Sequence, residues 1–333
     1  MPLILLLCAA LLSASLPARA EPTAIPQAAP RAAWITYWDA AGGLKEAVLH
    51  EQRFDSLIYF AAYFDQEDGL YYPGELAELH SALQTMLRKK DMLSYLSFVN
   101  DATIGEEEYE LKSQPLLRRL LQQDAERAAK LSDDIIALTL KHGYQGIEID
   151  FEGILSDLPL WESFFAFLKD LYPKAQAKGL PLRVLLEPRT PFDQLSFPEG
   201  PEYVLMCYNL FGTHSGPGPK ADRAFLEQMV ARMSNIPAKD RGFALALGGF
   251  DWSGGKVTQL TMHAAQQLLR EKGAALRRVE EAATFTYTDA EGGRHEVWYA
   301  DEVTLAYWTG VLNGLGEDRI DFWKLGENLN ETL

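Results

Sequence analysis

Cysteine is almost missing from this 333-residue chain, which has only Cys8 and Cys207. Cys8 falls in an N-terminal apolar run and Cys207 in a strand-like one, so a chain that loses its leader has no internal disulfide. Stability then has to come from a buried core. Positive charge is also scarce: 31 Lys and Arg face 47 Asp and Glu, a formal net charge of −16 that becomes −17 if Arg19 leaves with the leader. That balance argues against nucleic acid or anionic lipid as the partner and suits a neutral or cationic substrate. An acidic surface that simply keeps an exported protein soluble carries most of the weight as an explanation. Long apolar runs are limited to Leu3–Leu12, shorter than the ~20 residues that cross a bilayer as a helix, so no membrane insertion is expected after leader removal. Internal repeats and low-complexity tracts are lacking, as are Walker or dinucleotide-type glycine loops. The six histidines have no metal-ligand spacing, so neither metal nor cofactor is expected. His214 reads as a loop residue, and Gly248-Gly249 and Gly254-Gly255 as turn residues.

What is present has a clear order. Residues 1–20 combine the apolar run with Ala18-Arg19-Ala20, the small-x-small ending of a signal peptide, which predicts a secreted, periplasmic or cell-envelope protein. Residues 21–32 form a Pro/Ala-rich linker, and residues 33–333 are expected to be one domain acting as a monomer. At 47% hydrophobic and 11% aromatic, that domain can build a large core. Short β-rich runs recur at Trp34–Trp38, Leu57–Phe64, Met92–Val99, Gly146–Glu152, Leu182–Glu187, Tyr203–Tyr208, Gly242–Phe250 and Ile320–Leu325. Helical patterns lie between them: a long region beginning near Pro115 and capped by Gly143, Trp161–Lys178 ended by Gly179, and Thr261–Lys272. Eight strand-helix units at roughly 35 to 45 residues each predict an α/β fold, a closed (β/α)8 TIM barrel. Ala283–Tyr287 and His295–Tyr299, around a turn at Asp289–Gly293, predict a small β-hairpin excursion between strands seven and eight.

The segment Gly146-Ile147-Glu148-Ile149-Asp150-Phe151-Glu152-Gly153 carries the chemistry. Apolar and acidic residues alternate, so in a strand Glu148, Asp150 and Glu152 share one face, with neighbours about 6 to 7 Å apart. If the apolar residues pack outward on the helices, the acids point into the barrel, where burial and mutual repulsion raise at least one pKa. A carboxyl group kept protonated near neutral pH is what general-acid cleavage of a glycosidic bond needs. Glu152 ends the strand, where barrel enzymes place catalytic groups. A solvated acidic strand, or a divalent-cation site of carboxylates, would show the same alternation; the absence of an accompanying His weakens the metal alternative.

This segment resembles the glycoside hydrolase family 18 signature Asp-Gly-x-Asp-x-Asp-x-Glu. Gly146, Asp150 and Glu152 match, while Gln145 and Glu148 stand in place of the first two aspartates. Leu205-Met206-Cys207-Tyr208-Asn209 is similar to the family's Met-x-Tyr-Asp, with Asn209 for Asp, and Phe322-Trp323-Lys324-Leu325-Gly326 resembles the end of its eighth strand. His295-Glu296-Val297-Trp298-Tyr299-Ala300-Asp301 and Asn100 are similar to features of the bacterial cell-wall and spore-cortex N-acetylglucosaminidase group.

The resemblance implies a retaining, substrate-assisted glycosidase acting next to N-acetylglucosamine, with Glu152 as acid and base. It also implies that Asp150 and Tyr208 hold the sugar's acetamido group and that Trp323 forms an apolar floor, although either aromatic could be ordinary core. Further candidate substrate contacts are Glu148, Asn209, Tyr37, Trp38, Asn100, Trp252 and Trp298. The expected partner is a polysaccharide containing N-acetylglucosamine, peptidoglycan before chitin or N-glycan cores. A non-catalytic carbohydrate-binding barrel is the rival from another class, and retention of Asp150 and Glu152 stands against it.

Overall fold

The computed structural model describes residues 31–89, 91–105, 108–326 and 328. The expected signal peptide, nearly all of the expected linker and residues 330–332, Asn-Glu-Thr, which spell a glycosylation sequon, lie outside the described residues. Eight parallel strands form a ring: β1 (Ala32–Thr36), β2 (Ser56–Phe64), β3 (Leu93–Thr103), β4 (Gly146–Asp150), β5 (Leu182–Leu186), β6 (Glu202–Met206), β7 (Arg241–Ala246) and β8 (Ile320–Trp323). Each pairs with the next, and β8 closes on β1, with Ala33 opposite Phe322. The (β/α)8 barrel read from the sequence is therefore the observed fold.

The period-two pattern sorts the apolar residues into two cores. One side of the strands (Ala33, Ile35, Leu57, Tyr59, Leu96, Phe98, Ile147, Ile149, Val184, Tyr203, Leu205, Phe243 and Leu245) packs outward against the helices. The other side (Ala32, Trp34, Ile58, Tyr95, Leu185, Val204, Met206, Ala244 and Ala246) fills the barrel, with Tyr208 above and Phe60 and Trp323 packed against it. Alternating side chains on a strand require this division.

Several boundaries differ from the sequence expectation. β1 ends at Thr36, and Tyr37–Asp39 turn into a 3-10 segment. The long helical region after β3 is two helices, Gln114–Leu121 and Ala125–Lys141, each started by a side-chain cap: Ser113 accepts from Leu116 N and Asp124 from Glu126 N. The β5–β6 crossover carries a 3-10 turn at Phe192–Gln194 in place of an α-helix.

The excursion after β7 is larger than a hairpin. Ala282–Thr288 and Arg294–Ala300 do pair, but within a five-stranded antiparallel sheet that also contains Gly248–Ser253, Lys256–Leu260 and Arg277–Val279. The run read as one strand, Gly242–Phe250, is divided at Gly248, whose φ is +66°. A Cβ on Gly249 would lie 1.9 Å from the Trp298 carbonyl oxygen, so this strand can approach its neighbour only through glycine.

Candidate active site

The C-terminal ends of the barrel strands bring the acids of β4 together with Tyr208 and Trp323. Gly146, Glu148 and Asp150 face the interior, as the alternation with Ile147 and Ile149 requires. Asp150 is 4% exposed, and its Oδ1 is buried without a hydrogen-bond partner among the described residues. Burial, followed by the charges of Glu152 and Glu148, holds its carboxyl well above the ordinary range. A buried acceptor of this kind is costly unless a ligand donor completes it.

Glu152 lies just past the strand end, its side chain 14% exposed. Asn100 holds its main chain on both sides: Glu152 N donates to Asn100 Oδ1 at 2.8 Å, and Asn100 Nδ2 donates to the Glu152 carbonyl at 2.9 Å. Gly153 N donates to Glu187 Oε2 at 2.7 Å, and Lys112 Nζ donates to Glu152 Oε2 at 2.5 Å. Burial pushes the Glu152 carboxyl up to about 7, opposed by Lys112 and reinforced by Glu187. Tyr208 is buried on the same side. Desolvation, then the charges of Glu152 and Asp150, keeps its hydroxyl protonated and able to donate.

Glu148 sits deeper, fully buried. Trp34 Nε1 donates to its Oε1 at 2.8 Å, and Arg183 Nε to its Oε2 at 3.3 Å. Burial raises its carboxyl to about 7, with Arg183 acting in the opposite direction. The Arg183 guanidinium also donates to Asp321 Oδ2 at 2.5 Å and to Glu202 Oε2 at 3.4 Å. Glu148, expected from the sequence as a sugar contact, has both carboxyl oxygens bonded in a buried charge network under the acids.

Aromatic rings run from this depth to the rim. Trp34 meets Trp323 at 6.1 Å between centroids, Trp323 meets Phe60 at 5.4 Å, and Phe60 meets Trp38 at 5.5 Å. Trp38 and Tyr37 are 55% and 38% exposed, which leaves their rings open for stacking. Tyr63 joins Tyr37 at 5.7 Å and Tyr71 at 4.9 Å, widening the surface.

The other expected contacts have these surroundings. Asn100 is 1% exposed with its amide bound to main chain, so it positions Glu152 and has no donor left for a sugar. Asn209 is exposed on the loop after Tyr208 with φ +63°, a conformation Asn tolerates. Trp252, only 7% exposed, donates its indole N–H to the Ser215 carbonyl at 3.1 Å and so has little ring free to stack. Trp298 is half-buried in the small sheet and donates to Glu296 Oε1 at 2.9 Å. Trp252 lines a cavity of about 690 Å³ with Thr213, His214, Lys256, Arg294 and Glu296; the β4 acids do not line it.

Sequence reasoning missed Lys112, Arg183, Asp321 and the role of Glu187. Glu187 could have been found as an acid at the C-terminal end of a barrel strand, and Arg183 as a charge on an inward position. Among the described residues, no three His, Cys, Asp or Glu side chains converge as metal ligands, and no helix is long and apolar enough to cross a membrane.

No family model matches the chain. It is 27% identical over 237 residues to the cortical fragment-lytic enzyme of Bacillus subtilis, covering 63% of this chain and 53% of that protein. It is 25% identical over 310 residues to the protein of the same name from Bacillus cereus, covering 85% of this chain and 68% of the other. The chain spans about half the length of the first curated relatives it matches. Among solved structures it is similar to the spore cortex-lytic enzyme of Bacillus cereus, with a TM-score of 0.76 at 21% identity, covering 92% of this chain and 73% of that one. A chitinase from Chromobacterium violaceum superposes with a TM-score of 0.75 at 20% identity, covering 91% and 96%. These relatives match the resemblance read from the motifs: the chain is similar to chitinase-like family 18 barrels and, among them, to cell-wall and cortex enzymes.

Proposed function

We propose that the protein is a retaining glycoside hydrolase that cleaves next to N-acetylglucosamine, with peptidoglycan as the favoured polymer and Glu152 as acid and base. The observation that carries this reading is the pair of Asp150, buried, and Glu152, largely buried, at the C-terminal end of β4, whose charges act on the buried Tyr208 hydroxyl. The names of the relatives, cortex-lytic enzyme and chitinase, support an N-acetylglucosamine polymer as substrate, and the signal-peptide-like pattern of residues 1–20 supports export to the envelope where peptidoglycan lies.

Two steps follow from these groups. The acetamido oxygen of the bound sugar forms a bond to its own anomeric carbon while the bond to the leaving oxygen breaks. The electron pair goes to that oxygen, which takes the Glu152 proton. Asp150, with an unpaired buried oxygen, accepts the acetamido N–H, and Tyr208 donates to the acetamido oxygen to hold it in line. Water then attacks the anomeric carbon, Glu152 takes its proton, and the acetamido group is restored with retained configuration.

The test is release of reducing N-acetylhexosamine ends from purified peptidoglycan, chitin oligomers and a high-mannose glycopeptide. Glu152→Gln keeps the shape of the side chain without a transferable proton, so cleavage should fall by several orders of magnitude, beyond the roughly 10² to 10⁴ credited to acid catalysis alone, since the variant lacks the base as well. Binding of these glycans without cleavage by the wild type would make the barrel a carbohydrate receptor instead.

A further inference from the structure

Lys112 has no place in the two-step scheme, yet its ammonium lies 2.5 Å from the Glu152 carboxylate. It follows a short excursion in which Tyr109–Glu110 pair antiparallel with the end of β3, folding the chain back over the barrel mouth. The Lys112 backbone is fixed there, its N–H donating to Asp101 Oδ1 at 2.8 Å and its φ at +53°. It also rests on the residue after the acid: a Cβ on Gly153, whose φ is +78°, would stand 2.9 Å from the Lys112 carbonyl oxygen. Two fixed backbones therefore bring the lysine and the acid together, while about half of the lysine side chain remains open to solvent.

We propose that Lys112 is a positioning residue for Glu152, holding the carboxyl group toward the loop and governing when that group carries a proton. This rests on Glu152 being the proton donor. The groups facing Glu152 are Lys112 from the loop, Asp101 from β3, Asp150 from its own strand, Glu187 beyond β5 and Tyr208 beyond β6. Lys112 is the cation among them, opposed by three carboxyl groups. Its charge favours ionised Glu152, which lowers the pH above which proton donation fails and favours the form that must later accept a proton from water. Asp101, which fixes the lysine backbone, is itself an acid held above its ordinary range by burial, so the loop and the site titrate in one neighbourhood.

The experiment compares wild type, Lys112→Met and Lys112→Arg in the pH profile of kcat/KM on a soluble N-acetylglucosamine oligomer. A cation at this distance lowers a carboxyl pKa by about 1 to 3 units. The alkaline limb should therefore move up by about one unit or more in Lys112→Met, a roughly tenfold gain in relative activity above the limb, and stay in place in Lys112→Arg. In parallel, the Glu152 carboxyl carbon, identified by its loss in Glu152→Gln, is titrated by 13C NMR in wild type and Lys112→Met. That readout needs no turnover, so it tests the coupling even if no glycan is cleaved. An unchanged limb, or an unchanged carboxyl titration in a Lys112→Met protein of wild-type melting temperature, overturns the proposal. Activity lost equally at every pH with an unmoved titration would overturn it as well, since that outcome marks a merely structural side chain.

Discussion

Asn100 contributes through the backbone it holds. Its amide meets Glu152 N, Glu152 O and the Ser113 carbonyl while fully buried, so Asn100→Ala leaves main-chain groups unpaired beside the acid. A loss of about 1 to 3 kcal/mol is expected in urea denaturation, with kcat falling more than KM rises. Glu148 gives a pH prediction of definite sign. Its carboxyl titrates near 7 when folded, against about 4.3 unfolded. The folded state therefore binds more protons between these values. The contribution from this group is intact below about pH 4 and declines as pH rises to 7, by on the order of a few kcal/mol. The urea midpoint should be lower at pH 8 than at pH 5, and Glu148→Gln should flatten that slope whatever it does to absolute stability. At this scale the inward acids were legible, because Ile147, Ile149 and Phe151 declared the outward face. Lys112 was not: it belongs to no periodic segment, and only the two-residue pairing at Tyr109–Glu110 turns it back onto Glu152.

At the scale of elements, Gly146 shows why β4 begins as it does. It faces inward with Glu148 and Asp150, and a Cβ there would stand 2.4 Å from the Tyr95 ring, which packs beneath Arg183 at 5.5 Å. Gly146→Ala should cost about 1 to 3 kcal/mol through overpacking, measured as a lowered denaturation midpoint, and disturb the charge network before the acids. All eight barrel strands could be read from the sequence, since each is a short apolar run between helical patterns or turns. The second sheet was harder to see. Lys256–Leu260 is polar and largely exposed, without the alternation that marks a strand, and Gly248-Gly249 reads as a turn although it starts a strand that only glycine lets approach its neighbour. The missing helix between β5 and β6 left no trace because Phe192, Phe197 and Tyr203 cover that stretch by ring packing instead.

Across the whole molecule, the two hydrophobic cores divide the work. The outer one, between strands and helices, holds the barrel shape; the inner one is interrupted by charge, with Arg183, Glu148, Asp321 and Glu202 near the strand starts and Asp150, Glu152 and Tyr208 near the strand ends. An inner charge network is weak as a source of net stability but costly to break. Its ion pairs are also invisible to hydropathy patterns, since they join residues 138 positions apart, as between Arg183 and Asp321. That layer closes the lower end of the barrel interior. With the lower end filled by a guanidinium and its carboxylates, a sugar bound as proposed, its departing chain and the attacking water would all have to come and go at the strand ends. On the proposed mechanism the oxazolinium would form above that layer, and whichever hydroxyl reached it next, from water or from another sugar, would decide between hydrolysis and the making of a new glycosidic bond.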